Sequence, residues 1–585
     1  MEFSPQGPGH ALIQVKAPAS RRPHSGGMRR LAFPLCVALL LCAPALAAPP
    51  PAIPSAAVAS QLGETLNQLP GHGVDGEPVA VAEIRAIYAA LGYTPLWQLD
   101  PRAEERRQAL EAALAGAANH GLRADRLHPV SLARLPHPAT AQDIAARDVL
   151  LTDAALDYAS QLRRGAADAA ALGPDWHIAP DSFDTVRALI EALRGSQFAS
   201  FLASLAPSDP QYAALLAGLR RYRALVAAGG WTAIPGRDEV KLDGRDPRLA
   251  ALRTRLAAEG YLPARRDADI GTLSLAVRAF QAQHGLDADA RIGQRTLSAL
   301  NVSAEQRAEQ IAANLERWRH LPRQLGPRYI AVNLADQSLD LVQDGASIFH
   351  TRVIVGDTRH QSPTIRATVT GVTFNPPWNV PPSIAVREML PRLKRDPRYL
   401  AANDIVIVGR GADDPFGLRV DWRRMSGQNF PFRLQQRPGV KNSLGVLKLE
   451  MPNPWNVYLH DTPVKQLFAR APRGFSHGCI RVQQPGELAR RVLDDPAWDA
   501  DAIARGMAAG ETHTVPLRRP VPVYLLYWTA AADTDGAVNF RDDLYGRDAP
   551  IEVALDLKPP ANATQLQRTA SCGEANAAAA LSSGG

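Results

Sequence analysis

Ser476-His477-Gly478-Cys479-Ile480-Arg481-Val482 sets one thiol beside one imidazole across a glycine. The chain holds four cysteines, Cys36, Cys42, Cys479 and Cys572. The first two fall in a segment built like an export signal, and the last lies in a polar tail. Cys479 is therefore the one cysteine inside what reads as folded enzyme. A thiol attacks as thiolate, and a neighbouring imidazole supplies that thiolate by taking the proton. Such a pair suits acyl transfer.

The N-terminus gives that lone thiol its meaning. Met28-Arg29-Arg30 is a short basic stretch, Leu31 to Ala43 an apolar one, and Ala45-Leu46-Ala47 a small-x-small pattern before Ala48-Pro49-Pro50. This is the build of a cleaved signal peptide, so the expected destination is the periplasm. The apolar run is short and broken by Pro34, which argues against a membrane span. Leu41 is a poor neighbour for lipid processing at Cys42; anchoring, or membrane association through an uncleaved signal, stays open. Residues 1–27 are expected to be an extension ahead of the true start. Exported proteins use cysteine mainly in disulfide pairs. Cys572, in an Ala/Ser/Gly-rich end, is badly placed for one, so an unpaired Cys479 needs a reason, and catalysis supplies it.

At 585 residues, 46% of them hydrophobic, the chain is too long for one core and apolar enough to fill several. Its formal charge of +7 fits an anionic wall or lipid surface only weakly, and a solvated face explains it as well. No basic stripe is interleaved with aromatics, which argues against nucleic acid.

Residues 1–47 are expected to be extension and signal, and the Pro/Ala-rich 48–60 a linker. From 61 to 245 the pattern is helical. Leu151, Ala155, Tyr158 and Leu162 recur at helical spacing before Gly165, and Tyr212 to Ala228 runs to Gly229-Gly230. Trp97, Trp176 and Trp231 read as core anchors in this scaffold. Residues 246–302 form a compact helical unit: Pro247 suits a first helical position, Leu249, Leu252 and Leu256 share a face, and Gly260 stops it. A second helix carries Val277 and Phe280 and closes at Gly285; a third carries Thr296, Leu297 and Leu300. Ser303 with Gln306 predicts a capping box for a connecting helix within 303–327.

At Arg328 the period changes to alternation. Ile330, Val332 and Leu334, then Leu339 and Leu341, then Phe349, Thr351, Val353 and Val355 predict strands around a turn at Asp344-Gly345. Val369 to Phe374 is a further strand stopped by Pro376-Pro377. This β-rich domain is expected over 328–515, with an insertion at about 380–432 of the kind that forms a lid or grips substrate. Residues 516–558, with a strand at Val521 to Trp528, complete the fold, and 559–585 read as a disordered tail. The fold class expected is α+β and multidomain.

Fifteen residues, 461–475, separate His460 from Ser476. His460-Asp461-Thr462-Pro463 followed by the Ser476–Val482 run resembles the signature of the L,D-transpeptidase (YkuD-type) catalytic domain. Asn375–Ala385 (NPPWNVPPSIA), Pro438–Gly445 (PGVKNSLG) and Asp543–Asp548 (DLYGRD) agree with it. Gly260-Tyr261-Leu262, Ala276 to Gln281, His284-Gly285-Leu286, Gly293 and Thr296 to Leu300 resemble the small peptidoglycan-binding domain of cell-wall enzymes; a packing module without a ligand is the alternative. Together with the scaffold, the order of parts is similar to the large periplasmic branch of the family. Gln435-Gln436-Arg437 departs from the family's Arg-Gln pair followed by one residue, which bears on a substrate contact there.

The resemblance implies that Cys479 attacks the carbonyl between the L-centre of meso-diaminopimelate and the terminal D-Ala of a tetrapeptide stem. D-Ala leaves, and the side-chain amine of a second stem resolves the thioester. His477 is the expected general base and then acid, since imidazole titrates near working pH. Ser476, by hydroxyl or carbonyl, is expected to orient it, as the third group of a triad does. Gly478 gives room for a tight turn that aims backbone N–H groups at the oxyanion. His460 is expected to line the pocket, in a catalytic or purely structural role. Tyr458 alternates with His460, so both can face one cleft. Arg481 braces the loop or meets a substrate carboxylate, against the alternative of a surface ion pair. Trp378 and Trp422 contact substrate from the insertion, or pack there.

Other classes remain to be weighed. His460, His477 and Cys479 are permissible zinc ligands for a hydrolase, but the spacing of His477 and Cys479 is awkward for joint ligation. A wall-binding protein without activity is at odds with the intact Cys–His pair. The same thioester resolved by water makes an L,D-carboxypeptidase; resolved by another amine, it tethers a protein or exchanges a D-amino acid. No cofactor or metal is expected. The expected partners are peptidoglycan stems and carbapenem inhibitors, and a monomer is expected.

Overall fold

Helical spacing in the first third of the chain becomes a stack of helices, seen in a computed structural model that describes residues 54–557 apart from 70–72, 75, 99–101, 136–139, 264–268 and 533–536. The expected signal, Cys36, Cys42, Cys572 and the expected tail lie outside the described residues. The stack comprises α1 (Ser55–Gln68), α2 (Val81–Ala90), α3 (Ala103–Gly116), α4 (Pro129–Arg134), α5 (Ala141–Arg164), α6 (Thr185–Arg194), α7 (Phe198–Ser204) and α8 (Pro210–Ala227). The expected linker over 48–60 gives way to helix at Ser55. Val58, Leu62 and Leu66 recur at helical spacing and are buried, which outweighs the Pro/Ala composition.

Helix α5 runs through the middle of this core. Thr140 and Asp143 close its capping box, and Gly165 follows its last residue. Trp97 is fully buried and donates its Nε1 hydrogen to Thr152 Oγ1 at 2.9 Å. Trp231 packs flat on the Arg255 guanidinium, 3.7 Å from its ring centroid.

The next unit has its own core, built by α9 (Leu249–Ala258), α10 (Ile270–Gln283) and α11 (Gln294–Leu300). Asp246 and Pro247 stand in the turn before α9 rather than inside it, because the Asp246 carboxylate accepts from the backbone of Lys241 and Arg248. Helix α12 (Ala304–Arg319) opens on the expected Ser303–Gln306 capping box. It is more than a connector. Ala304, Ala308, Ile311, Ala312 and Leu315 are buried, and so are Arg317, Arg319 and Glu316, which satisfy one another and their neighbours. With α8 it packs against Tyr524 and Leu526 on the outside of the β domain.

That domain is a closed sheet. Its strands are β1 (Arg328–Asn333), β2 (Ser338–Gln343), β3 (Ala346–Gly356) and β4 (Ile365–Phe374). After the insertion come β8 (Leu447–Glu450), β9 (Leu459–His460), β10 (Gly474–Ser476), β11 (Ile480–Val482) and β12 (His513–Leu526); the insertion itself holds β5 (Trp378–Asn379), β6 (Ile405–Ile407) and β7 (Leu434–Gln436). The order is β10-β3-β11-β9-β8-β4-β12-β1-β2, and pairing of β2 with β3 closes all but β10 into a ring, with β10 attached alongside β3. Closure leaves no free sheet edge among those joined strands. Val332, Val353, Val369, Leu449, Leu459, Ile480 and Val523 fill the interior at zero exposure.

The boundary expected at 515 cuts a strand. β12 is continuous from His513 to Leu526, pairing with β4 along its length and with β1 at its end, and the Pro516–Val521 stretch is absorbed as an irregularity in register. A hairpin follows, β13 (Ala530–Ala532) and β14 (Val538–Phe540), then the Asp543–Asp548 segment. The insertion folds as a small body with a core of its own, including Met389, Leu393, Leu400, Ile407 and Trp422.

Candidate active site

Strand pairing decides what lies beside the thiol. β11 runs parallel to β9, with Ile480 opposite Leu459 and Arg481 opposite His460, while β8 places Lys448 opposite His460. Leu447, Leu449, Leu459, Ile480 and Val482 point into the barrel. By alternation, Lys448, Tyr458, His460, Cys479 and Arg481 share the opposite face. Five chemically active side chains thus meet on one surface.

The thiol sits in the turn between β10 and β11. Its Sγ donates to Asn456 O at 3.7 Å, and the Tyr458 hydroxyl lies beside it. Burial pushes the Cys479 thiol above its ordinary range, while Tyr458, Arg481 and Lys448 pull it back. At rest the sulfur is a thiol, so attack requires a base.

The turn is braced from within and from behind. Gly478 adopts φ +105°, a backbone conformation open to glycine. Its N–H donates to Ser476 Oγ at 3.1 Å, and the Ser476 hydroxyl donates to Cys479 O at 2.5 Å. The Ser476 carbonyl accepts from Asp357 N–H at 2.9 Å. Both polar groups of Ser476 are therefore spent on the loop, and the expectation that it orients His477 is corrected. From behind, Ser362 Oγ donates to Gly478 O at 2.8 Å. The Asp543–Asp548 stretch supports that contact: Tyr545 Oη donates to Gly356 O at 2.7 Å, and Arg547 donates to Ser362 O at 3.1 Å. The motif was visible in sequence; its task of holding the 356–364 loop under the nucleophile was not.

The two histidines differ. His477 lies about a third exposed, its Nε2 2.6 Å from Glu388 Oε1 on the insertion and its ring 4.5 Å from that of His360. His360 is itself bonded through Nδ1 to Asp357 Oδ1 at 3.1 Å. His460 is buried, and burial with the nearby Arg481 cation holds its imidazole down to about 3, so it is neutral. Its Nδ1 has no hydrogen-bond partner. Neither ring makes a hydrogen bond to Sγ.

Arg481 is not in a surface ion pair. It is half-buried on the thiol's face, its Nε has no hydrogen-bond partner, and Cys479 is the group that favours its charge. Lys448 instead pairs with Glu450 at 2.9 Å and lies 4.6 Å above the Tyr458 ring. Trp378 and Trp422 both belong to the packing of the insertion: Trp422 is buried, donating from Nε1 to Gly417 O at 3.1 Å, and Trp378 packs against the same core. Gln436, in the stretch that departs from the family pattern, is buried and bonds Asn403 O, Lys441 O and Ser443 N–H, so it shapes the 437–445 loop. Among the described residues no group of three or more His, Cys, Asp or Glu side chains is arranged to hold a metal ion.

Sequence reasoning missed Glu388, His360, Asp357 and Ser362. No local motif marks them; they reach the loop only through the fold.

Three stretches of the chain are similar to known families. Residues 327–522 match the model of the L,D-transpeptidase catalytic domain, residues 245–300 that of a "Putative peptidoglycan binding domain", and residues 82–219 that of a scaffold domain. A Haemophilus influenzae protein named "Putative L,D-transpeptidase" is 33% identical over 246 residues, 42% of this chain and 49% of that protein. The match thus spans about half the length of that curated relative. Two crystal structures of L,D-transpeptidases are also similar. The one from Xylanimonas cellulosilytica is 16% identical, covering 50% of this chain and 98% of that one, with a TM-score of 0.17. The one from Stackebrandtia nassauensis is 13% identical, covering 50% and 96%, with a TM-score of 0.20. TM-scores of that size carry no argument.

Proposed function

We propose cysteine-dependent acyl transfer on peptidoglycan tetrapeptide stems for this chain, whose residues 327–522 match the L,D-transpeptidase catalytic domain and whose preceding residues match a scaffold domain and a putative peptidoglycan binding domain. The observation that carries it is the shared sheet face: a thiol flanked by a neutral imidazole, a phenol and an arginine cation that has no carboxylate partner among the described residues.

In this reading the Cys479 proton passes to His477 as sulfur attacks the carbonyl of diaminopimelate. The oxyanion meets the backbone N–H of Cys479, since the Gly478 N–H is held by Ser476 Oγ and the Ile480 N–H by Tyr458 O; loss of one such donor typically costs about a hundredfold or more in rate. His477 returns the proton to the departing amine of D-Ala. A diaminopimelate side-chain amine then attacks the thioester, loses its proton to the same base, and releases the thiol with a new crosslink. In the same reading Arg481 holds a substrate carboxylate and Tyr458 contacts the acyl group. A second reading assigns the proton transfer to His460, favoured by its unpartnered Nδ1 on the thiol's own face. Single-turnover acylation of His460→Ala and His477→Ala separates the two, since only the true base is lost with the rate.

In this reading the reaction is periplasmic, on the strength of the expected export signal alone. Among the described residues no helix is long and apolar enough to cross a membrane. Digestion of purified muropeptides followed by mass spectrometry tests the proposal: dimers short of one D-Ala identify a transferase, tripeptides alone a carboxypeptidase, and no change sinks the reading. A carbapenem mimics the scissile amide, so it should add its mass to the wild type and not to Cys479→Ala.

A further inference from the structure

We propose that Glu388, carried by the insertion, is the positioning residue of the catalytic loop and acts through His477. This rests on Cys479 being the acylated nucleophile.

Glu388 is far from His477 in sequence and belongs to a separately packed body, yet its Oε1 lies 2.6 Å from His477 Nε2. Local sequence accounts for its place. Pro391 has no N–H to donate to the carbonyl four residues back, and its ring crowds that carbonyl. The helix relieves this by widening into a π turn over Ala385–Met389, closed by a bond from Leu390 N–H to Ala385 O. Such turns carry one extra residue per cycle and re-aim side chains. Ala385, Met389 and Leu390 are buried in the insertion core, so the residue between them is held by apolar anchors on both sides.

Stability is not what the pair is for. Both side chains are more than a third exposed, and exposed ion pairs contribute about 0–1 kcal/mol. What the contact does fix is geometry. A carboxylate accepting at Nε2 keeps the imidazole hydrogen there and leaves Nδ1 as the acceptor. On the other side the ring meets His360, which is bonded to Asp357, whose N–H holds the Ser476 carbonyl. His477 is thus clamped between insertion and barrel, one residue before the Gly478 turn. Withdrawing the insertion would release it. Enclosure of a substrate by the insertion and readiness of the nucleophile loop become one event, a task that Ser476 cannot perform because both of its polar groups are engaged elsewhere.

The test is the rate of carbapenem acylation of the full chain, followed by intact mass, for wild type, Glu388→Gln, Glu388→Asp, His477→Asn and the Glu388→Gln/His477→Asn double variant. Glu388→Gln is nearly isosteric and should melt close to wild type, yet acylate about tenfold more slowly, the loss expected for one hydrogen bond to a charged group. Glu388→Asp should recover most of that loss. In the His477→Asn background Glu388→Gln should change nothing further. An unchanged rate in Glu388→Gln overturns the inference, as does an equal additional loss in the double variant. A wild type that takes no carbapenem overturns the nucleophile reading itself, and this inference with it.

Discussion

The backbone N–H of Ile480 donates to the carbonyl of Tyr458 at 3.0 Å, and that bond sets Cys479 beside Tyr458 on the face turned away from the barrel core. The price of that position is a thiol buried enough to be pushed above its ordinary range, with the Arg481 cation among the groups opposing the rise. Alkylation by iodoacetamide should therefore reach half its maximal rate at a higher pH than free cysteine does. Arg481→Gln removes a stabilising charge from the thiolate and should move that midpoint higher again. Coincident profiles for the two proteins would remove Arg481 from the thiol's electrostatics.

Gly478 separates a backbone effect from a steric one. A Cβ added there would meet its nearest neighbour, Gln361 O, at 3.6 Å, an ordinary contact. The φ of +105° is another matter, costing about 1–3 kcal/mol for a residue with a side chain. Gly478→Ala should therefore fold with a modestly lower melting temperature while its acylation rate falls about tenfold or more, because relaxation of φ re-aims the Cys479 N–H. Wild-type rates in a folded Gly478→Ala would show that the turn does not serve the oxyanion.

The sequence was most legible where a side chain's local pattern settles its surroundings. Alternation at Ile330 to Val355 marked the strands, and Ser303 with Gln306 marked a helix start, because period and capping are local. Helix α12 read as a connector, with Glu316, Arg317 and Arg319 left without a role. They are buried because each finds its partner there, which no window of sequence displays. Likewise the boundary expected at 515, ahead of a strand at Val521 to Trp528, falls inside β12, because pairing on both sides carries the strand through. Cys479 and His477 stood out as a motif, but Glu388 depends on a π turn and on how the insertion meets the barrel.

Glu316 ties the scaffold to α12, the helix that packs on the catalytic domain. Fully buried, it holds Arg319 at 2.6 Å, His320 at 3.0 Å and the Ala167 N–H at 2.8 Å. Burial alone would raise its carboxyl, but these partners win and hold it down to about 2 from the ordinary 4.5. A carboxyl depressed on folding contributes stability that is complete above the unfolded value and is lost as pH falls toward the folded one. Glu316→Gln strands a buried Arg319 and should destabilise by about 3–5 kcal/mol. Gly165→Ala should be as damaging, since its Cβ would fall 2.5 Å from Glu316 Oε1 at a φ of +94°. Urea unfolding of both variants at neutral pH checks this; losses under about 1 kcal/mol would mean the cluster relaxes around the change.

His460 gives a pH signature of opposite origin. Its imidazole falls from the ordinary 6.5 to about 3 on folding, first through burial and then through Arg481. Between those values the unfolded chain binds a proton that the folded chain refuses, so acidification draws the equilibrium toward unfolding. Above about pH 6.5 neither state is protonated there and the effect vanishes. One proton corresponds to at most about 1.4 kcal/mol per pH unit. Replacing His460 with Gln removes this component, so the variant's stability should fall less steeply than wild type from pH 6.5 to pH 4.5. That window stops at the ordinary carboxyl value of Glu316, whose own loss begins there and runs toward pH 2. Buried His284 and half-buried His120 also resist protonation, but they are present in both proteins and cancel in the comparison. Urea unfolding at several pH values within the window decides it: parallel curves would mean that His460 gains its proton in the folded state after all, and would return it to the candidates for a charged role at the site.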